Sequence, residues 1–199
     1  MKIIRPYHPP SLKRHGLQNF TLRDCTGPLD LEIGSGVGWF AIRYAKHHPE
    51  RTLIAIERTK TRSMKFERRL NSHPNLNNLI LVSEAAEDWL PFALSEETVD
   101  RLFILYPNPY VKKSQHRRRW HYQPFMRFLL SLLKPGGTLH LASNVQEYAE
   151  QASEQYSRYW GLKKVSYEFY QGKPRTHFEK KYQDRGESLC DLIFQKKQD

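Results

Sequence analysis

The sequence predicts an α/β fold: a doubly wound, mostly parallel sheet of seven strands with an antiparallel hairpin at one edge. Three observations predict it. Short apolar runs alternate with helical patterns along most of the 199 residues, which is the order that puts helices on both faces of a parallel sheet. The first apolar run passes directly into a glycine loop and then a helical pattern, as the opening βα unit of such sheets does. The last two strand-like runs, near 163–169 and 188–195, lie close in sequence and can pair antiparallel.

Each element follows from its own residues. Residues 1–27 mix Pro6, Pro9 and Pro10 with Lys13, Arg14 and His15 and read as an irregular basic arm. Residues 28–199 read as one domain, long enough for a full core. Leu29, Leu31 and Ile33 mark a first strand at 29–33, followed by a helix over 38–47, a strand at 53–57 and a helix over 59–71. A third strand at 79–82 is expected to end in an acidic turn through Asp88, and a fourth strand lies at 101–105. Phe125, Phe128, Leu129, Leu132 and Leu133 repeat at helical spacing and predict a helix over 122–133. Lys134-Pro135-Gly136-Gly137 then predicts a turn into a strand at 138–142, with a helix over 145–159 beyond it. No repeat, low-complexity tract or Gly/Ser linker divides the chain.

Composition narrows the partners. Lys and Arg outnumber Asp and Glu by 32 to 21, a formal charge of +11, and a domain this basic points to a polyanion such as nucleic acid. No apolar stretch approaches the roughly 20 residues of a membrane span, and the N-terminus has no apolar leader core, so a soluble, cytoplasmic chain is expected. Cys25 and Cys190 stand far apart without a Cys/His cluster, which signals neither zinc nor a disulfide framework and leaves two buried thiols.

The glycine loop suggests the chemistry. Gly34-Ser35-Gly36-Val37-Gly38 follows Glu32, and glycines at these positions let backbone N–H groups approach a ligand that side chains would block. A dinucleotide fingerprint has the spacing G-x-G-x-x-G; here the spacing is G-x-G-x-G with an acid before it. That pattern favours S-adenosylmethionine, whose methionyl end offers an ammonium to a carboxylate and a carboxylate to bare amides. Glu57, with Arg58 beside it, closes the second strand about 20 residues beyond the loop, where a carboxylate can accept both hydroxyls of a ribose. A ribose diol is common to NAD and S-adenosylmethionine, so Glu57 supports either. Glu84 and Ala85, after the third strand, are candidates for the adenine.

Beyond the fourth strand runs Tyr106-Pro107-Asn108-Pro109-Tyr110, then Lys112, Lys113, His116, Arg117, Arg118 and Arg119. Ligands bind beyond the carboxyl ends of parallel strands, so this segment is expected to face the reactive end of the cofactor. The prolines stiffen the turn around Asn108, Tyr106 and Tyr110 can line a flat base, and the cations suit phosphates.

Together the glycine loop, the Pro-Asn-Pro-Tyr turn with its basic tail, Leu133-Lys134-Pro135-Gly136-Gly137 and Arg175-Thr176-His177-Phe178-Glu179 resemble the tRNA (guanine-N7)-methyltransferase family over roughly residues 29–195. The resemblance implies a Rossmann-like S-adenosylmethionine-dependent enzyme; no metal is expected, and the chain is expected to be a monomer or homodimer. The resemblance also implies that Glu32, Gly34, Gly36 and Glu57 hold the cofactor, that Glu84 and Ala85 sit at the adenine, and that Thr176 and Glu179 shape the cofactor and guanine pocket. Ser35 and Arg58 are further candidates for the cofactor and Asn108 and Glu179 for catalysis; Tyr110, Lys112, Lys113, His116, Arg117, Arg118, Arg119 and Asn144 are the candidate substrate contacts. Two positions depart from the family. Asn108 and Tyr110 stand where it usually has Asp and Trp, and Ser143-Asn144 where it has Thr-Asp. Asn replaces a charged acceptor by one acceptor and a donor, so a methyltransferase with another substrate, or a silent RNA-binding relative, is the alternative; a nicotinamide oxidoreductase is more remote because no catalytic Tyr/Lys pair stands out.

Overall fold

The computed structural model describes residues 4–8 and 27–198. Its elements run β1 (Leu29–Ile33), α1 (Trp39–His47), β2 (Thr52–Ile56), α2 (Lys60–Asn71), β3 (Leu79–Val82), α3 (Ala86–Ala93), β4 (Val99–Leu105), α4 (Met126–Leu132), β5 (Leu133–Ser143), α5 (Gln146–Glu154), β6 (Lys163–Phe169), α6 (His177–Gln183) and β7 (Cys190–Gln195). The seven strands form one sheet in the order β3-β2-β1-β4-β5-β7-β6. The pairs from β3 through β5 are parallel, and β7 runs antiparallel to both β5 and β6. Strand order reverses between β1 and β4, and that reversal opens a crevice at the strand ends.

The apolar pattern explains the layers. β1 and β2 are buried along their whole length, as strands covered on both faces must be. One core, with Leu31, Ile54, Leu102 and Leu141, packs under α3, α4 and α5; a second, with Phe40, Leu53, Phe66 and Phe103, packs under α1 and α2.

Several elements differ from the sequence expectation, each for a local reason. The helix expected over 122–133 starts at Met126, because Pro124 forces Gln123 into extended backbone (φ −80°, ψ 137°). The segment before it coils as two short 3-10 turns, Lys113–Arg118 and Trp120–Tyr122. The helix expected over 145–159 is α-helical only to Glu154 and widens into a π turn at Gln155–Tyr159. The ladder between β4 and β5 pairs Val99 with Leu133 and resumes at Arg101 with Thr138, so residues 134–137 bulge opposite Asp100. Gly137 is needed there: a Cβ would stand 2.9 Å from the Lys134 carbonyl oxygen.

The acidic segment after β3 is a helix despite Pro91 within α3. Proline has no N–H for the carbonyl four residues back, and the freed Glu87 oxygen accepts the Tyr7 hydroxyl at 3.4 Å. Tyr7 also packs on Phe125 and Phe128, so this part of the N-terminal arm is held against the body. The remainder of the arm, Cys25 included, lies outside the described residues. Cys190 is buried and receives the Tyr167 hydroxyl at 3.8 Å. β6 and β7 pair at the edge as expected, although α6 is inserted between them. Among the described residues no group of three or more His, Cys, Asp or Glu side chains could hold a metal ion, and no helix is long and apolar enough to cross a membrane.

A buried ion pair anchors the centre of the sheet. Asp30 on β1 is fully buried and accepts Arg51 Nε and Nη2, each at 2.6 Å, and the Tyr44 hydroxyl at 2.7 Å. Removing one partner of such a pair leaves an uncompensated buried charge. Arg51→Ala is therefore expected to cost about 3 kcal/mol or more in urea unfolding; a loss below about 1 kcal/mol would show that Asp30 finds another partner.

Candidate active site

The crevice between the ends of β1 and β4 holds a cleft of about 680 Å³. Its walls come from the three places where the sequence puts chemistry: Ile33 and Gly34, Glu57 to Thr59 with Glu84, and Leu105 to Tyr110. Arg62, Arg118, Trp120 and Gln123 extend the walls, and Phe178 and Tyr182 of α6 close one side.

The glycine loop is folded by the end of β2. Gly34 and Ser35 both donate to the Ile56 carbonyl oxygen, at 2.8 and 3.0 Å, which turns the chain sharply out of β1. Gly34 and Gly36 have φ of 78° and 60°, and a Cβ on either would meet nothing within 4 Å; their bare faces look onto open space. Gly38 serves packing instead, because a Cβ there would collide with the Phe66 ring at 2.1 Å. The Ser35 hydroxyl is buried and has no hydrogen-bond partner among the described residues.

Two acids flank this loop. Glu57 is 3% exposed, and its oxygens accept Gly36 N at 2.9 Å and Thr59 N at 2.7 Å, which ties the loop to the start of α2. Glu32 sits one position back from the wall residues Ile33 and Gly34. It is buried, and its Oε2 has no hydrogen-bond partner among the described residues. Burial, with Glu57 nearby as a second cause, pushes its carboxyl up to about 8, so at neutral pH it holds a proton. A buried carboxyl with an idle oxygen, on the strand end that leads into an open glycine loop, suits a ligand that brings a cation to it. Arg58 and Glu84 are exposed on the wall, and Ala85 is the residue from which α3 begins.

The turn after β4 is strained and held from two sides. Tyr106 (φ 52°) and Tyr110 (φ 42°) both occupy the left-handed region, which costs a non-glycine residue about 1–3 kcal/mol unless its surroundings impose it. Between them Asn108 is exposed, and its Oδ1 accepts Tyr110 N at 3.0 Å. On one side the Tyr106 hydroxyl donates to Glu179 Oε1 at 3.0 Å. On the other, Arg119 Nε donates to the Pro109 carbonyl at 2.8 Å and Nη2 to the Tyr110 carbonyl at 3.3 Å.

These anchors place several of the expected site residues inside the protein, off the cleft wall. Glu179 is fully buried and outside the cleft wall; it accepts the Arg175 guanidinium at 2.9 and 2.5 Å and the Arg175 backbone N at 2.5 Å. Arg175 reaches on to Asp191 at 2.8 Å. Thr176 caps α6, its hydroxyl accepting Glu179 N at 2.9 Å, so the T-x-x-E pattern is a helix-capping device here. Arg119, expected on phosphate, is also fully buried. Besides the two turn carbonyls it meets Gln151 Oε1 at 2.7 Å and His116 Nε2 at 2.9 Å, and lies over the Tyr148 ring. Its donors are spent inside the protein. His116 is buried with it. Asn144 also lies off the wall and donates to Glu187 Oε2 at 2.6 Å.

Lys112, Lys113, Arg117 and Arg118 do face solvent, with Arg118 at the cleft. Sequence reasoning overlooked Phe178 and Tyr182, spaced one helical turn apart and stacked at 6.1 Å; their i, i+4 spacing was the available signal. Two neighbouring arginines should therefore behave oppositely. Arg119→Met is expected to destabilise the fold by about 2–5 kcal/mol, while Arg118→Gln leaves the unfolding midpoint unchanged and lowers the log–log salt slope of RNA binding by about 0.7–0.9. Melting curves and salt titrations check this, and equal behaviour of the two would refute the assignment.

Comparison with known proteins places this geometry in a family. Residues 26–192 match the model of a family described as "Putative methyltransferase". The chain is 33% identical over 174 residues to the tRNA (guanine-N(7)-)-methyltransferase of Nitrosomonas eutropha, covering 86% of this chain and 77% of that protein. It is 33% identical over 187 residues to the protein of the same name from Nitrosococcus oceani, covering 87% and 79%. The fold matches a crystal structure of the 16S rRNA methyltransferase KamB with a TM-score of 0.70 at 19% identity, over 90% of this chain and 95% of that one. It also matches a variant of the 16S rRNA (adenine(1408)-N(1))-methyltransferase of Catenulisporales acidiphilia with cosubstrate SAM, with a TM-score of 0.60 at 17% identity, over 86% and 87%. With relatives this similar over most of its length, the chain belongs to the tRNA (guanine-N(7)-)-methyltransferase family.

Proposed function

We propose that this chain is a cytoplasmic enzyme that transfers the methyl group of S-adenosylmethionine to N7 of a guanine in tRNA. In this reading residues 28–199 form one methyltransferase domain, and 1–27 are a basic arm directed to the RNA. What supports it is the idle, buried oxygen of Glu32, behind the cleft wall and two residues before Gly34, taken with the open faces of Gly34 and Gly36. A bound ammonium would give Glu32 the partner it lacks and restore its charge. Loop amides would take the ligand's carboxylate. Glu57 is held rigidly by Gly36 and Thr59, and its oxygens keep lone pairs for the two ribose hydroxyls. Arg58, Glu84 and Ala85 border the place left for the adenine.

The bound cofactor supplies an electrophilic methyl group on a cationic sulfur. Guanine N7 already presents its lone pair, so no residue has to remove a proton, and the task of the chain is alignment. The anchored turn supplies it. Because Asn108 Oδ1 is used by Tyr110 N, its Nδ2 group remains to donate toward guanine O6, the acceptor next to N7 on that edge of the base. Tyr110, Phe178 and Tyr182 offer rings for stacking, and Lys112, Lys113, Arg117 and Arg118 offer charge to phosphates. Glu179 and Arg119 act through the turn.

Incubating the chain with unmodified tRNA and labelled S-adenosylmethionine, followed by mass spectrometry of the nucleosides, tests the reading directly. Label in 7-methylguanosine is expected; label in any other nucleoside, or in none, would overturn it. A second measurement isolates Glu32. A group whose folded-state value lies above its ordinary 4.5, at about 8, gives stability that is complete below the lower value and lost as pH rises through the upper one. Wild-type melting temperature is therefore expected to fall between about pH 5 and 8 more steeply than that of Glu32→Gln, while the substitution weakens cofactor binding at least tenfold. Parallel melting profiles would show that Glu32 is not held protonated.

A further inference from the structure

A hollow of about 420 Å³ lies between the start of α1 and α6, lined by Trp39, His177, Lys180, Lys181, Asp184 and Arg185. None of these residues belongs to the cleft wall. The Trp39 ring is partly exposed and held in place: the Arg69 guanidinium lies 5.6 Å over it, His177 meets it edge-on at 6.1 Å, and Arg69 itself is fixed by a 2.8 Å bond to the Val37 carbonyl. Among the described residues Lys181 makes no ion pair. Lys180 pairs with Asp184 at 2.9 Å, the one acid in the hollow, and Arg185 stands 3.7 Å from Glu187.

The two sites share a helix. Phe178 and Tyr182 turn one stripe of α6 to the cleft; His177 and Lys181, each one residue earlier, lie about 100° round the helix and turn the adjoining stripe to the hollow. Lys181 Nζ lies 6.0 Å from the centre of the Tyr182 ring. A fixed aromatic face flanked by cations is what single-stranded nucleic acid recognition uses: base on ring, phosphate on ammonium or guanidinium. A protein partner would favour a wider apolar centre, and here a single indole ring stands among Lys180, Lys181 and Arg185.

We propose that this hollow is a second nucleotide subsite, in which the RNA strand crosses α6 so that one base enters the cleft while another stacks on Trp39 with its phosphates at Lys181 and Arg185. The inference rests on the tRNA reading above and adds to it the path of the strand. Trp39 follows the glycine loop directly, so the second nucleotide would lie next to the backbone that the cofactor would touch.

The test compares wild type with Lys181→Glu/Arg185→Glu and with Trp39→Phe and Trp39→Ala, using unmodified tRNA, its binding as a function of salt, and calorimetry with S-adenosylmethionine alone. The charge-reversed variant is expected to lose about 1.5 from the log–log salt slope, two contacts at about 0.7–0.9 each. Its KM for tRNA should rise roughly tenfold while kcat and cofactor affinity stay as in wild type. Trp39→Ala should weaken RNA binding about tenfold, and Trp39→Phe, which keeps a ring, should recover most of it. If the charge-reversed variant keeps the wild-type slope and KM, the subsite is refuted, whatever Trp39→Ala does to folding. The two failures are distinct: a wild-type chain that makes no 7-methylguanosine overturns the proposed activity, whereas one that makes it with all variants equal overturns only the subsite.

Discussion

The cleft depends on the parallel pairing of β1 with β4. These neighbours, in register from Asp30 with Arg101 to Glu32 with Phe103, end at the same height, while the chain leaving β1 folds into the glycine loop and the chain leaving β4 folds into the proline turn. Two segments far apart in sequence are thereby delivered to opposite lips of one opening. Asp30 ties β1 to its neighbours from within: it binds Arg51, which leads into β2, and the Tyr44 hydroxyl of α1, which in turn accepts Arg101 Nη1 of β4 at 2.7 Å. Without that reversal of strand order, the glycines and the Pro-Asn-Pro segment would have no common ligand to face.

What the fold adds to topology is rigidity at the second lip. A turn with two left-handed tyrosines is not one that a free peptide would adopt. Here a carboxylate on α6 grips one end through a phenol, and a buried guanidinium grips the other through two carbonyls. Such a turn has little left to lose in entropy when a base arrives, which is where a reaction that requires only alignment gains most.

The parts legible in the sequence were those whose meaning is local. G-x-G-x-G after a buried strand, an acid ending the next strand, and prolines around Asn108 each carry their geometry in a few residues, and the cleft takes Gly34, Glu57 and Pro107 to Pro109 from them. The parts that were not legible depend on partners from elsewhere. Arg117, Arg118 and Arg119 are identical as letters, and only the pitch of a 3-10 turn sends the last inward to α5 while its neighbours stay in water. Thr176 and Glu179 were visible as a motif, but their role is set by Arg175, Tyr106 and Asp191, from three different segments. α3 was hidden by Pro91 and α6 by its charged sequence, both rescued by contacts with other elements.

The proton held by Glu32 carries a consequence for how such a site would fill. If a cation settles against that carboxyl, as in the proposed reading, the proton must leave for the buffer. Cofactor capture is then an acid-releasing event near neutrality: the apparent affinity climbs as the medium becomes more alkaline, and the heat measured on mixing includes the ionisation enthalpy of whichever buffer takes up what Glu32 gives away.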